Sequence, residues 1–206
     1  VSKKSSVVVS TALVGYNQPG DAKKLVIKTD EKGTDAGGSF AVSYADPCKS
    51  DVYATVELYG RGQKIGTDKI RTKDNLQGSP TYGRTLIAEP YTWQQIGIPV
   101  KEVKKSPVFQ GAKVRLYDEK KNDPNHYYQK WINVMPTDNM TAFKGYEIAP
   151  VLDGSDGVRQ IQGELNFCNQ EITLTRQADI VTASKAEGDD NAKRYGLGYN
   201  IVGNSF

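Results

Sequence analysis

Val52-Tyr53-Ala54-Thr55-Val56-Glu57-Leu58-Tyr59 is the stretch that decides the fold class of this chain. Val52, Ala54, Val56 and Leu58 fall on one side, and Tyr53, Thr55, Glu57 and Tyr59 fall on the other. A period of two marks a pleated strand with one buried face and one wet face. Working toward the N-terminus, residues 39–44 alternate in the same way, and residues 25–29 and 7–14 are short β-branched, apolar runs. Asn17-Gln18-Pro19-Gly20-Asp21 and the Gly-rich residues 30–38 supply the turns between them. Working toward the C-terminus, strand patterns recur at 91–98, 113–118, 127–134, 144–149, 158–165, 170–175 and 199–202. Such spacing, with no helix-length 3.6 period between the strands, predicts an all-β chain of antiparallel β-sandwich type rather than βαβ units. Residues 60–84 are polar and rich in Gly and read as an irregular connector, so two sandwich-like halves are expected, 1–85 and 86–206, with a shared sheet allowed. Residues 101–111 have room for a helical turn before Pro107 and nothing larger, and 178–185 is ambiguous.

A phrase near residue 92 returns at the C-terminal end. Thr92-Trp93-Gln94-Gln95-Ile96-Gly97-Ile98-Pro99-Val100 and Gly198-Tyr199-Asn200-Ile201-Val202-Gly203-Asn204-Ser205-Phe206 share one outline: aromatic, polar, aliphatic residues around a Gly, then a turn former. A strand-rich chain that ends on its own earlier phrase is expected to be a segment of something longer.

At 206 residues the chain is long enough to bury a substantial core. With 27 basic and 24 acidic residues it has no field strong enough to attract nucleic acid. No run approaches the roughly 20 apolar residues that span a bilayer, so membrane insertion is not expected, and residues 1–6 lack the apolar core of a signal peptide. Twelve Tyr against five Phe and two Trp is a palette suited to half-wet sheets and binding faces. Cys48 and Cys168 are too far apart in sequence for a CxxC metal or redox motif. They are either two reduced thiols or one long-range disulfide, which in an oxidising compartment contributes roughly 4–5 kcal/mol on a loop-entropy model.

The constellations that chemistry needs are sparse. His126, the one histidine, sits in the turn-like Asp123-Pro124-Asn125-His126, without a Gly-x-Ser-x-Gly elbow anywhere, and reads as a solvated turn residue. Asp153-Gly154-Ser155-Asp156-Gly157 has the look of a calcium loop, but residues 158–163 after it read as strand, so Asp153 and Asp156 offer at most a structural Ca²⁺ site and otherwise belong to a turn. No other cofactor is expected. Residues 60–66 lack the Gly-Lys-Ser/Thr ending of a phosphate loop. The basic residues Lys101, Lys104, Lys105, Lys113, Arg115, Lys120 and Lys121 are interrupted by acids and read as a solvated face. Tyr127, Tyr128 and Trp131 are the candidate ligand-binding residues, because their rings suit stacking on sugars or packing on another module. For Trp131 the competing reading is core.

From about residue 50 onward the order of phrases resembles a module of secreted, cell-surface proteins of the Bacteroidetes. The residues that carry the likeness are Ala54-Thr55-Val56-Glu57-Leu58-Tyr59, Trp93 to Val100, Leu116-Tyr117-Asp118 followed by Lys130-Trp131-Ile132, Met140 with Lys144-Gly145-Tyr146, Gly163-Glu164-Leu165-Asn166, and Gly198 to Phe206. Tyr199 stands where the pattern usually has Trp, and Ser205-Phe206 where it has Pro and an aromatic. The resemblance implies a large, multidomain exported protein, often carrying a type IX secretion signal absent here, and it brings no catalytic residues. The expectation is therefore a non-catalytic structural or adhesion module, secreted or on the cell surface, with other protein modules or surface proteins as partners. The alternatives are a carbohydrate-binding module with glycan partners, and a hydrolase built on an Asp/Glu pair.

Overall fold

In the computed structural model of the chain, the described residues are 1–9, 15–30, 37–42, 51–60, 70–73, 75, 77, 83, 85–88, 91–120, 131–149, 157–166, 171–175 and 200–203. They form an all-β protein with several antiparallel sheets. The strands in chain order are β1 (Ser6–Val9), β2 (Val26–Ile27), β3 (Ser39–Val42), β4 (Tyr53–Gly60), β5 (Ile70–Lys73), β6 (Thr85–Ala88), β7 (Gln94–Ile96), β8 (Glu102–Lys104), β9 (Lys113–Tyr117), β10 (Trp131–Asn133), β11 (Asn139–Thr141), β12 (Tyr146–Ala149) and β13 (Gly157–Glu164). A 3₁₀ turn occupies Pro19–Lys23, and a short helical segment broken by extended backbone at Ser106 (φ −104°, ψ 137°) occupies Lys105–Val108.

The alternating stretch around residue 55 becomes β4, and β4 pairs antiparallel with β13 along its whole length, from Tyr53 opposite Glu164 to Gly60 opposite Gly157. This ladder joins the two expected halves in one sheet, which β2 completes on the other side of β4. A second sheet, all antiparallel, runs in the order β10-β9-β12-β7. Both sheets send side chains into one buried cluster: Ala54 and Ile161 from the first, Ile96, Val114, Tyr146 and Ile148 from the second, with Met140 from β11 and Ile98, Val100 and Phe109 between strands.

Local chemistry explains how the sheets connect. After β7 the chain crosses at Val100, which forms a bridge with Leu165, and Lys101 donates its N–H to the Glu164 carbonyl at 2.7 Å. Ala54 and Gly163 lie opposite each other in the β4–β13 ladder. A Cβ on Gly163 would come within 2.9 Å of Val100 Cβ, so the missing side chain is the space that Val100 fills. Lys101 also pairs with Glu164 at the surface.

Four features depart from the sequence expectations. Two strand pairs are parallel, β1 with β3 and β2 with β4, rather than antiparallel throughout. Both are joined by long stretches of chain, as a parallel crossover requires and a hairpin does not. The connector at 60–84 contains β5, which pairs antiparallel with β6. Residues 101–111 hold β8, paired with β11, besides the helical turn, and that turn includes Pro107 instead of preceding it. Three-residue strands such as β8 and β11 are too short to show a period. Finally, 171–175 has the pattern of a strand and forms none.

Candidate binding face

The second sheet turns one face to the core and the other to solvent. Register assigns Val114 and Leu116 of β9, Tyr146 and Ile148 of β12 and Ile96 of β7 to the inner face. The alternate residues, Lys113, Arg115 and Tyr117 of β9, Glu147 of β12, Gln95 of β7, and Trp131 and Asn133 of β10, share the outer face. Asn133, Arg115, Glu147 and Gln95 form one row across four strands, because each lies directly opposite the next.

Arg115 is the centre of this row. Its guanidinium carbon lies 3.9 Å from the ring centroid of Trp93 and 4.3 Å from that of Trp131, so both tryptophans of the chain close on one cation. Nε donates to Glu147 Oε2 at 2.7 Å, and a second guanidinium nitrogen reaches the same oxygen at 2.6 Å. The Glu147 side chain retains 11% of its exposure and that of Arg115 27%. A carboxylate so nearly enclosed needs the cation it has, and the planar guanidinium pairs edge-on while offering its faces to rings. Gln95 Nε2 donates to the other Glu147 oxygen at 3.5 Å.

Further aromatic contacts brace the stack. Tyr117 meets Trp131 edge-to-face at 5.3 Å, and Tyr91 meets Trp93 in the same manner at 5.6 Å. Lys113 Nζ stands 5.8 Å from the Trp93 centroid and 3.5 Å from the Tyr91 hydroxyl, and the Tyr117 hydroxyl donates to Glu119 at 3.0 Å. The result is a ridge of rings and paired charges whose members are each held by two or more neighbours. Such an arrangement sets two half-buried indoles beside two exposed amides (Gln95 and Asn133) and a fixed ion pair.

Of the sequence candidates, Trp131 is on this outer face and outside the buried core cluster. Tyr127 and Tyr128 lie outside the described residues, as do His126, Cys48, Cys168, Asp153 and Asp156. Among the described residues no group of three or more His, Cys, Asp or Glu is placed to hold a metal ion, and no helix is long and apolar enough to cross a membrane. Sequence reasoning missed Trp93, Arg115 and Glu147. Charge spacing groups Arg115 with a solvated basic run, although its alternation with Val114 and Leu116 places it on the face opposite the core. What joins it to Glu147 and the two tryptophans is strand order, which residue spacing does not carry.

The chain matches no family model, no curated protein and no solved structure.

Proposed function

We propose that the protein is a non-catalytic structural or adhesion module of an exported, cell-surface protein of the Bacteroidetes type, and that it meets its partner through the outer face of the β10-β9-β12-β7 sheet. The observation that carries this reading is the Trp93–Arg115–Trp131 stack. Tryptophan is a costly residue to leave beside water, and both copies in the chain are on the face away from the core. Preorganised rings and Arg are the side chains that supply most of the energy at protein interfaces, because they bury large areas with little loss of rotamer freedom. The exported address rests on the resemblance of the sequence phrases from residue 50 onward.

A second reading takes the same face as a carbohydrate-binding surface. It is favoured by the row Asn133–Arg115–Glu147–Gln95, which lines up planar hydrogen-bonding groups beside the rings. Sugar hydroxyls pair with such groups while C–H faces stack on indoles.

The test is binding of the folded protein to a glycan array and, in parallel, to purified surface-protein modules, with Trp131→Ala as the variant. The adhesion reading predicts saturable binding to a protein module, weakened about tenfold or more in Trp131→Ala. Saturable binding to a glycan with the same sensitivity selects the carbohydrate reading. Binding of either kind that Trp131→Ala and Trp93→Ala leave unchanged overturns both.

A further inference from the structure

Glu171-Ile172-Thr173-Leu174-Thr175 carries the alternating, β-branched pattern of a strand, yet it joins no ladder. Among the described residues, Glu171, Ile172, Thr173 and Leu174 have no main-chain hydrogen bond of any kind. All four are exposed, and Ile172 keeps 41% and Leu174 64% of their accessible surface. Thr175 is the one residue tied down. Its N–H and hydroxyl donate to Asn200 Oδ1 at 3.1 and 3.4 Å, and its carbonyl accepts from Asn200 Nδ2 at 3.0 Å. A side-chain carboxamide thus takes the part of a partner strand for a single residue.

Asn200 is itself anchored. It opens the segment 200–203, which runs antiparallel to residues 143–145: Gly145 donates to the Ile201 carbonyl and Gly203 to the Phe143 carbonyl, both at 3.0 Å. Thr175 is therefore fixed to the folded body while the residues before it present unused donors and acceptors. Main-chain groups of this kind bind an extended strand, and natural proteins rarely leave them open beside exposed aliphatic side chains.

We propose that this segment pairs antiparallel with its own copy in a second molecule, about a two-fold axis through Thr173. In a strand, alternate residues direct N–H and C=O to opposite edges. Once the segment is extended in the pair, with Thr175 directed at Asn200, Ile172 and Leu174 direct theirs to the free edge. The two-fold register sets Ile172 of each copy opposite Leu174 of the other, giving four main-chain hydrogen bonds and an aliphatic pair on one face. Thr173 meets Thr173 at the centre, a favourable cross-strand pair. Glu171 falls opposite Thr175, so the only charge in the segment is kept from its equivalent, whereas a parallel in-register pair would bring the two carboxylates together. This self-complementarity is what selects a second copy as the occupant. Five residues of strand bury much less than the roughly 1,200–2,000 Å² of a stable interface, so the pairing is weak and reversible.

The experiment is hydrogen exchange and sedimentation on the whole chain from about 10 μM to about 1 mM, the range in which an association of this size is read. The proposal predicts a monomer–dimer equilibrium in which the Ile172 and Leu174 amides gain protection with concentration while the Thr173 amide does not. Leu174→Pro removes one donor and one aliphatic contact from each copy and weakens the dimer at least about tenfold. Leu174→Ile retains it. Both variants keep the exchange protection of the β4–β13 ladder, which shows that the monomer is folded. A chain that stays monomeric throughout, a dimer indifferent to Leu174→Pro, or protection of Ile172 and Leu174 that is independent of concentration overturns the proposal.

Discussion

Arg115 is held by three contacts at once: a charge-assisted pair with Glu147 and the rings of Trp93 and Trp131. Truncation in Arg115→Ala leaves a mostly buried carboxylate without its cation and unstacks two indoles, and is expected to cost about 2 kcal/mol in urea unfolding. Arg115→Lys keeps the charge but loses the planar stack and one of the two donors, so the expected cost is about 1 kcal/mol. Both variants should shift tryptophan emission, because the cation contacts both indoles. Glycine carries a second kind of constraint. A Cβ at Gly203 would fall onto the Lys144 carbonyl oxygen and within 2.7 Å of Gly97 Cα, and one at Gly145 onto the Ile201 side chain. Gly203→Ala is therefore expected to lift residues 200–203 off the body, seen as loss of exchange protection at the Gly145 amide with the β4–β13 ladder intact. Gly97 and Gly203 belong to the two copies of the phrase noted in the sequence, and the fold brings them into contact. That the phrase repeats was legible from residue order. That its glycines meet was not, since the contact depends on residues 143–145 holding 200–203 alongside them.

β4 and β13 illustrate what an element can and cannot reveal in advance. Eight residues of clean alternation made β4 evident, and 157–164 was close to the expected 158–165. Their pairing across a hundred residues has no local signature, because it is decided by shape at Ala54, Gly163 and Val100. A double-mutant cycle tests that shape. Gly163→Ala forces Val100 to move and should cost about 1–2 kcal/mol, Val100→Ala leaves a void of similar cost, and the pair together should cost clearly less than the sum. The 3₁₀ turn at Pro19–Lys23 offers a pH test. Asp21 accepts from the Lys24 ammonium at 2.6 Å and from the Gln18 N–H at 3.1 Å, which holds its pKa below the ordinary carboxylate value. A depressed folded-state pKa gives stability that is present above the unfolded value and lost as pH falls through the folded one. Protection of the Lys24 amide, which bonds to the Asp21 carbonyl, should therefore fall on acidification below about pH 4, and Asp21→Asn should flatten that dependence. The short strands β8 and β11 escaped the sequence reading for the opposite reason. They hold their place by pairing with each other, and three residues offer no period to detect.

At the scale of the molecule, two sheets share one core, and the chain passes between them at Val100 and Lys101. Ile161 is fully buried in that shared core, so Ile161→Ala should cost about 3 kcal/mol and lower the stability of both sheets together in a single transition. Binary pattern alone made the all-β class legible. The candidate face is half legible: its ring marks Trp131 in the sequence, but the partners that make it a site come from strands whose neighbours are set by tertiary packing. The face has a built-in reporter, since both tryptophans of the protein lie on it. The most direct test of the account is intrinsic tryptophan emission during titration with a macromolecule shown by calorimetry to bind the chain. The account predicts a saturable spectral change that tracks the calorimetric isotherm and disappears, with the binding, in Trp131→Ala. Saturable heat with no change in emission, and with full affinity in Trp131→Ala, would contradict it.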